Sequence, residues 1–305
     1  MTIAKKQKLF LITKGCDALN VQKSYEDNHP AVYLVPTPIG NIEDMTYRAV
    51  KILKEVSVIY AEDTRHSGNL LKHYEIETSM ISLHEHNESS RVEQIIQTVE
   101  SGKSVALISD AGTPLMSDPG ETLVQALTEA SITVIALPGA TAMLPALITS
   151  GLSVQPFVFI GFLPPKKAQK KKSLERIQNY PETLVLYEAP HRIQDTLKEL
   201  YNVMGNRKIA LARELTKRYE TIYRLALKDY HELPQLKGEI VIIIEGASPV
   251  NTISSADIIE HIQLMISDGY KEMDAIKTAA KVRKIPKNDA YMAYQTYKKT
   301  QEGKE

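Results

Sequence analysis

The sequence predicts two α/β domains followed by a short helical region, and three observations support this fold class. The chain has 305 residues, which is more than one domain usually holds. From residue 31 to residue 150, short apolar runs alternate with helical patterns, as in βαβ units that build a parallel sheet. Strand-like runs between residues 208 and 245 follow one another without helices, which favours a mixed or antiparallel second sheet. We therefore predict an N-terminal extension (1–30), a first α/β domain (31–152), a second α/β domain (153–248) and a helical C-terminal region (249–305).

The first domain is predicted to begin with a buried strand over residues 31–35, because a proline-rich loop closes this apolar run. Apolar residues at helical spacing over 49–56 predict the first helix. Ser90, with Glu93 three positions later, predicts a capping box where the third helix begins. The remaining elements follow from the same patterns: strands at 56–60, 80–83, 105–109 and 132–137, and helices at 65–74, 119–130 and 141–150.

The second domain and the C-terminal region are predicted in the same way. A strand begins at Phe157, and one helix covers residues 193–203. The other strands are placed at 183–187, 208–213, 221–227 and 240–245. Residues 254–298 lack strand-like runs and predict three helices, which Asp268-Gly269 and Ile285-Pro286 separate.

Composition excludes several classes of protein. The chain has one cysteine and no apolar run near the roughly 18 to 20 residues that cross a bilayer. Its lysine-containing start lacks the apolar core of a signal peptide. We therefore expect a cytoplasmic protein without a membrane segment.

Charge is unevenly distributed, although the formal net charge is zero. Residues 31–150 carry seven basic and fifteen acidic side chains, whereas residues 151–305 carry twenty-five basic and nineteen acidic ones. A polyanion such as nucleic acid is attracted to a basic surface. The alternative is an ordinary difference between two solvated surfaces.

The fourteen glycines are never closer than eight positions, and this spacing excludes the common phosphate-binding loops. A Rossmann fingerprint needs glycines two and five positions apart, and a Walker loop needs two glycines five apart before a lysine. Cys16 is the only cysteine, so no CxxC pair exists, and no GxSxG nucleophile elbow is present. A nucleotide-like ligand must therefore be bound in another way.

Polar loops follow the predicted strands, where open α/β sheets bind their ligands. Each loop taken alone is also compatible with turn and helix-cap chemistry. Together they form a pattern that favours a binding site. The loops cover residues 36–41, 62–66, 109–114, 138–141, 187–192 and 213–217.

These strings resemble the tetrapyrrole methylase-like, class III S-adenosylmethionine methyltransferases, and within that family the branch that acts on RNA of the small ribosomal subunit. The resemblance covers about residues 31–246. Residues 1–20 lie outside it, and Thr141 stands where the family pattern has Ser. The matching strings are LVPTPIGN at 34–41, AEDTRH at 61–66, HEHNE at 84–88, SDAGTPLMSDPG at 109–120, LPG at 137–139, GFLP at 161–164, YEAPHR at 187–192 and RELTK at 213–217.

The resemblance implies two α/β domains with S-adenosylmethionine in the cleft between them, a homodimer, and transfer of a methyl group to the 2′-oxygen of a cytidine in 16S rRNA. The substrate partner is then 16S rRNA or the small ribosomal subunit. A donor without phosphates needs no glycine-rich cradle, since rigid proline-containing loops offer backbone groups instead. By position in the matching strings, the cofactor-binding residues are Pro38, Gly40, Asp110, Gly112, Thr113, Met116, Ser117, Thr141, Ala142, Tyr187 and Ala212.

A ribose hydroxyl is a poor nucleophile, so we expect a nearby carboxylate or imidazole to accept its proton. The candidate catalytic residues are Asp63, His84, His86 and Glu188. In the alternative interpretation, Glu62, Asp63 and Arg65 form an ion-paired loop that only orders the site. His84 and His86 together with the nearby carboxylates also resemble a metal site, but this signal is weak and we predict no metal.

A run of five lysines between residues 166 and 172 follows the GFLPP string, and we interpret it as an RNA contact because its ammonium groups suit phosphates. The alternative is a solvated loop or helix face. The full set of predicted RNA-binding residues is Arg65, Lys166, Lys167, Lys170, Lys171, Lys172, Arg192, Arg213 and Lys217. The tyrosines at 291, 294 and 297 have the spacing of a helix packing face.

Three other functions remain open at this point. A methyltransferase acting on porphyrin-like rings shares the cofactor loops. A metal-dependent hydrolase would use His84, His86, Asp63 and Asp110, and a noncatalytic RNA-binding adaptor would use only the basic second half.

Overall fold

The computed structural model describes residues 21–24, 29–84, 87–117, 120–247, 255–267, 269–283 and 285–302. Most of the predicted N-terminal extension therefore lies outside the described residues. The strands of the first half are β1 (Val32–Leu34), β2 (Val58–Ala61), β3 (Met80–Ser82), β4 (Val105–Ile108) and β5 (Val134–Ala136). The helices between and after them are α1 (Tyr47–Glu55), α2 (Thr64–His73), α3 (Glu88–Glu100), α4 (Glu121–Glu129) and α5 (Met143–Thr149).

The first sheet is parallel, with the strand order β3-β2-β4-β1-β5. Its central strands β2 and β4 are buried along their whole length, as expected for a sheet with helices on both faces. The chain leaves β1 towards β2 and leaves β4 towards β5, so crossovers from these neighbouring strands run in opposite directions. Such a reversal opens a crevice at the carboxyl ends of the two strands, which is where α/β sheets bind ligands.

Two helices of this half, α1 and α2, begin at side-chain caps. The Thr46 hydroxyl accepts a hydrogen bond from the Ala49 N–H at 3.1 Å, and the Asp63 carboxylate accepts one from the Arg65 N–H at 2.9 Å. The predicted capping box at Ser90 is wrong, because α3 already begins at Glu88 and the Ser90 hydroxyl donates to the Asn87 carbonyl at 2.8 Å.

Two side chains close other open ends of this half. The amide of Gln22 donates to the carbonyl of Val134 at 2.8 Å and accepts from its N–H at 3.0 Å, and so covers part of the edge of β5. The buried Glu88 carboxylate accepts from the Leu123 N–H at 2.9 Å and from the Thr122 hydroxyl. It therefore caps the amino end of α4, where a negative charge is favourable.

The second sheet has the order β6-β7-β10-β8-β9. β6 and β7 are parallel, whereas β8 and β10 are antiparallel, since Glu245 N–H donates to the Lys208 carbonyl and Glu214 N–H to the Glu239 carbonyl. The mixed sheet that the sequence predicts is thus present. Its strands are β6 (Phe157–Phe162), β7 (Thr183–Glu188), β8 (Lys208–Arg213), β9 (Thr221–Ala226) and β10 (Ile240–Ile244), with helices α6 (Lys167–Ile177) and α7 (Ile193–Met204).

Three helices end the described chain, as predicted. They are α8 (Ser255–Ser267), α9 (Glu272–Val282) and α10 (Lys287–Glu302). Their apolar faces form a core of their own, which includes Ile262, Ile276 and Tyr294. Tyr297 packs against this core and its hydroxyl accepts a hydrogen bond from Gln263. Tyr294 and Tyr297 thus serve helix packing as predicted, whereas Tyr291 is exposed.

The described residues form two compact units. The first contains the chain through Thr149 together with two later segments, Ala212–Thr221 and Gly238–Val241. The second contains Ser150–Leu211, Ile222–Lys237 and the chain from Ile242 onward. The two later segments thus belong with the first sheet, although they lie within the second predicted domain. Within the described part of the chain, no helix has the length and apolar character needed to span a bilayer.

Candidate active site

The loops after β1 and β4 are joined directly at the crevice of the first sheet. Thr37 and Gly112 form an antiparallel bridge in which each N–H donates to the other's carbonyl at 2.9 Å. The buried Thr37 hydroxyl also donates to the Ser109 carbonyl at 3.0 Å. The bridge holds both loops at the point where the crossovers diverge.

The loop after β5 packs onto this pair. The Thr113 hydroxyl donates to the Ala140 carbonyl at 3.0 Å. Gly139 lies so close to Pro36 that an added Cβ would be 2.6 Å from the proline Cβ. Gly112 has a φ of +84°, and a Cβ there would lie 3.3 Å from Ile39 Cγ2. The three loops therefore form one closely packed surface in which small residues bring backbone groups to the crevice.

The sheet order separates the predicted cofactor residues into groups. Those on the first unit's loops after β1, β4 and β5 are Pro38, Gly40, Gly112, Thr113, Met116, Ser117, Thr141 and Ala142. Asp110 also follows β4 but contacts the loop after β2. Ala212 is buried at the end of β8, and Tyr187 lies on β7 with its ring edge-on to Phe159 and Phe162. Their predicted roles stay predictions.

An acidic cluster lies where β2 and β4 end. The Asp63 N–H donates to Asp110 Oδ1 at 3.2 Å, which ties the two loops together. Asp63 also forms an ion pair with the exposed Arg65, with 3.0 Å between Oδ2 and the guanidinium. The side-chain hydrogen bond from Arg65 lowers the pKa of Asp63 to about 2, so Asp63 is a weak proton acceptor.

Glu62 precedes Asp63 and has the opposite character. Burial raises the pKa of Glu62, the charges of Asp110 and Asp63 raise it further, and His84 lowers it. A carboxylate with a raised pKa is better suited to accept a proton near neutral pH. The sequence places Glu62 in the polar loop 62–66 after a predicted strand and in the alternative ion-paired loop, but not among the candidate catalytic residues.

The other predicted catalytic residues differ in their surroundings. His84 is half-buried after β3, and its Nε2 lies 3.1 Å from the side-chain amide of Asn87. His86 lies outside the described residues. Among the residues that the structure describes, no three His, Cys, Asp or Glu side chains are grouped to hold a metal ion.

Glu188 lies in a buried network of the second unit. Its Oε2 accepts a hydrogen bond from the Thr196 hydroxyl at 2.5 Å, and that hydroxyl accepts one from the Lys170 ammonium at 2.8 Å. Glu188 Oε1 pairs with Arg192 Nε at 3.2 Å. Glu188 and Lys170 are 2 % and 6 % exposed, so their charged groups contact this network rather than solvent. Catalysis by Glu188 and RNA contact by Lys170 stay predictions, and burial disfavours both.

The remaining predicted RNA-binding residues fall into two groups. Lys166, Lys167, Lys171 and Lys172 are exposed at the start of α6, where phosphates can reach them. Arg192 is half-buried and donates to the Leu163 carbonyl at 2.8 Å, which fixes it to the loop before α6. Arg192 is therefore less accessible to RNA than the exposed lysines of α6 are.

Arg213 and Lys217 are also half-buried. Arg213 donates to the Tyr219 carbonyl at 3.4 Å. The Lys217 ammonium donates to Glu214 Oε1 at 3.0 Å and to Glu239 Oε2 at 3.2 Å. These contacts make Lys217 part of an ordered cluster at the edge of the first unit.

A cavity of about 330 Å³ lies within the first unit, beside this cluster. Three parts of the unit line it: the loop after β1, one face of α2, and the loop after β4. Asp110 contributes a carboxylate, Asn69 an amide, and Lys217 and Glu239 close one side. The volume is at the lower end of the range for small-molecule sites.

The sequence matches the family described as Tetrapyrrole (Corrin/Porphyrin) Methylases over residues 31–230, which is about two thirds of the chain. The chain belongs to the tetrapyrrole methylase family. Among its relatives, the ribosomal RNA small subunit methyltransferase I of Streptococcus pyogenes is 46 % identical over 284 residues, covering 90 % of this chain and 99 % of the relative. The protein of the same name from Bacillus subtilis is 45 % identical over 275 residues, covering 86 % and 93 %.

Solved structures of tetrapyrrole methylases confirm the predicted fold. The match to cobalt precorrin-4 methyltransferase has a TM-score of 0.53 at 16 % identity, covering 70 % of this chain and 94 % of that one. Uroporphyrin-III C-methyltransferase from Thermus thermophilus, in complex with S-adenosylhomocysteine, gives 0.51 at 20 % identity, covering 70 % and 96 %. Family and relatives together confirm a methyltransferase with S-adenosylmethionine as its methyl donor.

The loops of the first unit fit this donor. S-adenosylmethionine has no phosphate, so it needs neither a phosphate loop nor a helix amino end. Gly139 packs too closely against Pro36 to accept a Cβ, and a Cβ at Gly112 would be in tight contact with Ile39, so both positions present backbone groups instead. This cradle belongs to the β1, β4 and β5 ends of the sheet.

Proposed function

We propose that this protein transfers the methyl group of S-adenosylmethionine to the 2′-oxygen of a cytidine in 16S rRNA of the small ribosomal subunit. The observation that carries the proposal is the 46 % identity to a ribosomal RNA small subunit methyltransferase I over nearly the whole of both chains. The target atom follows from the motif resemblance of the loops after β1, β2 and β4.

The bound donor supplies a methyl group on a positively charged sulfur. The packed loops around Gly112 and Thr113 hold and orient it. Methyl transfer is an in-line displacement, and holding the attacking oxygen near 3 to 3.5 Å from the carbon supplies a large part of the rate. Rigid loops suit this task because they need little reorganisation.

Glu62 accepts the proton of the ribose hydroxyl in this proposal. Its carboxylate has a raised pKa and lies in the cluster with Asp63 and Asp110. Asp63 is held by Arg65 and caps α2, so it keeps the loop after β2 in place. Glu62 is thereby added to the four candidates predicted from the sequence, and His84 is a neighbour whose charge lowers the pKa of Glu62.

The exposed lysines at the start of α6 support an RNA substrate rather than a small tetrapyrrole. Lys166, Lys167, Lys171 and Lys172 lie within seven positions and suit a series of phosphates. A ribosomal subunit as the substrate also agrees with the expected cytoplasmic location of the protein. The homodimer implied by the motif resemblance remains part of the proposal.

The test is transfer of tritiated methyl from S-adenosylmethionine to small ribosomal subunits isolated from a strain that lacks the gene. We expect label in one cytidine of 16S rRNA, located by mass spectrometry and resistant to alkaline cleavage at its 3′ phosphate because the 2′-oxygen is blocked. Subunits from the parent strain are the matched control and should accept no label. Methylation of a uroporphyrin-type ring, with none on ribosomal RNA, would refute the proposal.

A further inference from the structure

We propose that the cavity beside α2 binds the cytosine base of the target nucleotide. This inference deepens the proposed function and rests on it. Nothing in the motif resemblance assigns a base-binding site on this side of the crevice.

The cavity and the donor cradle share the loops after β1 and β4, and Thr37, Pro38, Gly40 and Asp110 line the cavity, but the two extend from these loops towards different neighbours. The cradle involves the end of β5, at one edge of the sheet, through Gly139 and the Thr113–Ala140 hydrogen bond. The cavity involves α2, which follows β2 on the other side of β4. Donor and acceptor of a methyl group must approach each other from different directions, and in this proposal the donor lies towards β5 and the base towards α2.

The lining of the cavity matches the chemistry of cytosine. Ile39, Ile42 and Leu70 provide apolar surface for the faces of a ring. An ionised carboxylate only accepts hydrogen bonds, so Asp110 suits the exocyclic amino group of cytosine. Asn69 can donate to the ring nitrogen or the carbonyl oxygen of the base. Uracil would place a carbonyl oxygen against Asp110, which is unfavourable.

Lys217 supplies a further hydrogen-bond donor, and several contacts fix the position of its ammonium group. Two of its three N–H groups donate to Glu214 and Glu239, which leaves the third, among the described residues, for a ligand. Gly40 makes room for its stem, since an added Cβ would lie 2.4 Å from Lys217 Cγ. The Thr216 hydroxyl fixes the same loop by accepting from the Asn41 N–H at 3.0 Å.

The loop that carries Lys217 contains backbone strain. Glu214 and Thr216 have φ values of +52° and +66°, which are unfavourable for residues with a Cβ and occur most often where a site must be held in place. These backbone conformations shape the loop from which Lys217 lines the cavity.

Asp110 connects the cavity to the acidic cluster. It lines the cavity and accepts a hydrogen bond from the Asp63 N–H, and its charge raises the pKa of Glu62. Because Asp110 is hydrogen-bonded to Asp63, the proposal places the ribose of a base bound against Asp110 beside the acidic cluster. The cavity would select the nucleotide and the cluster would accept its proton.

The first test fills the cavity with a large side chain from α2, the helix that lines one side of it. Asn69→Trp places a large ring in the cavity, and Lys72→Trp makes the same change at an exposed position of α2 that does not line it. We expect Asn69→Trp to lower kcat/KM for ribosomal subunits at least tenfold, with the Kd for S-adenosylmethionine within twofold of the parent. Lys72→Trp should behave like the parent in both measurements.

A second variant tests whether Asp110 distinguishes cytosine from uracil. Asp110→Asn keeps an oxygen that accepts a hydrogen bond from the Asp63 N–H and adds an amide N–H that can donate to the carbonyl oxygen of uracil. With reconstituted subunits that carry cytidine or uridine at the methylated position, we expect the preference for cytidine to fall at least tenfold. An unchanged preference overturns the inference, as does loss of S-adenosylmethionine binding by Asn69→Trp, because the cavity would then hold the donor.

Failure of the proposed function is recognised separately. If the parent protein transfers no methyl group to any ribosomal subunit, that proposal falls, and the cavity is judged by calorimetry with cytidine and uridine 5′-monophosphates. Preferential cytidine monophosphate binding by the parent and Lys72→Trp, with loss in Asn69→Trp, still supports a cytosine site. Equal binding by all three proteins, or binding by none, counts against it.

Discussion

Glu62 and Asp63 are adjacent carboxylates at the end of β2, but their surroundings move their pKa values in opposite directions. Arg65 donates to Asp63 and lowers its pKa to about 2. Burial, together with Asp110 and Asp63, raises the pKa of Glu62. Neighbouring groups with separated pKa values commonly divide the work of a site. Here one carboxylate keeps its charge and orders the loop, and the other is suited to exchange a proton.

Replacing Glu62 is expected to affect chemistry more than binding. Glu62→Gln removes the proton acceptor at nearly constant volume, so kcat should fall about 10² to 10⁴-fold, the usual range for general base catalysis. The Kd for S-adenosylmethionine, measured by calorimetry, should change little. Asp63→Asn is the matched control, because it keeps an oxygen for the helix cap, and its kcat should fall less. A larger loss in Asp63→Asn than in Glu62→Gln would reverse the assignment.

The pH dependence of methyl transfer provides a second test of Glu62. The ionised carboxylate is the active form, so kcat should rise as the pH increases through its raised pKa. Asp110→Asn removes a negative charge that raises this pKa, whereas His84 acts in the opposite sense. We therefore expect the acidic limb of the pH–kcat profile to move to lower pH in Asp110→Asn. A limb that stays in place, or moves to higher pH, would show that another group titrates.

The sequence predicted the order of strands and helices well because local periodicity carries this information. It also located the crevice, since polar loops after buried strands are visible in the chain. The capping box at Ser90 failed for a local reason: Asn87 and Glu88 begin the helix earlier, and Glu88 is used to cap α4. A helix that begins two residues upstream of the predicted cap is difficult to recognise from spacing alone.

Two features of the site needed the three-dimensional structure. Lys170 shares the buried face of α6 with Leu174 and Ile177, and their helical spacing was a signal that the lysine run is not uniformly exposed. The contact of Lys217 with Gly40 is different. It joins segments far apart in the chain that belong to one compact unit, and no local pattern contains such information.

The exposed lysines of α6 are expected to bind RNA through its phosphates. Changing Lys166 and Lys172 to Gln should weaken binding to ribosomal subunits and reduce the slope of log K against log salt by about 1.4 to 1.8, since each contact contributes about 0.7 to 0.9. Lys51 and Lys54 are exposed lysines on α1, and the same double change there is the control. Equal slopes for both double variants would show that α6 does not contact the phosphates.

The buried member of the same run should behave differently. Lys170→Met removes a hydrogen bond from a charged donor to Thr196 in the network of Glu188. Such bonds contribute about 1.5 to 3 kcal/mol, so the free energy of unfolding in urea should fall by roughly that amount. The salt dependence of RNA binding should stay as in the parent. A changed slope with unchanged stability would return Lys170 to the RNA surface.

Alanine variants of two glycines with positive φ can distinguish an effect on donor binding from an effect of backbone strain. An alanine at either Gly112 (φ +84°) or Gly102 (φ +92°) should cost about 1 to 2 kcal/mol of stability, because a Cβ disfavours this conformation. At Gly102 the new Cβ meets nothing within 4 Å, whereas at Gly112 it lies 3.3 Å from Ile39 Cγ2 and 3.7 Å from the Ala140 carbonyl oxygen in the loop after β5. Gly112→Ala should therefore also raise the Kd for S-adenosylmethionine, measured by calorimetry well below the unfolding temperature, and Gly102→Ala should not. Equal donor affinity in the two variants would place the donor away from the bridge between Thr37 and Gly112.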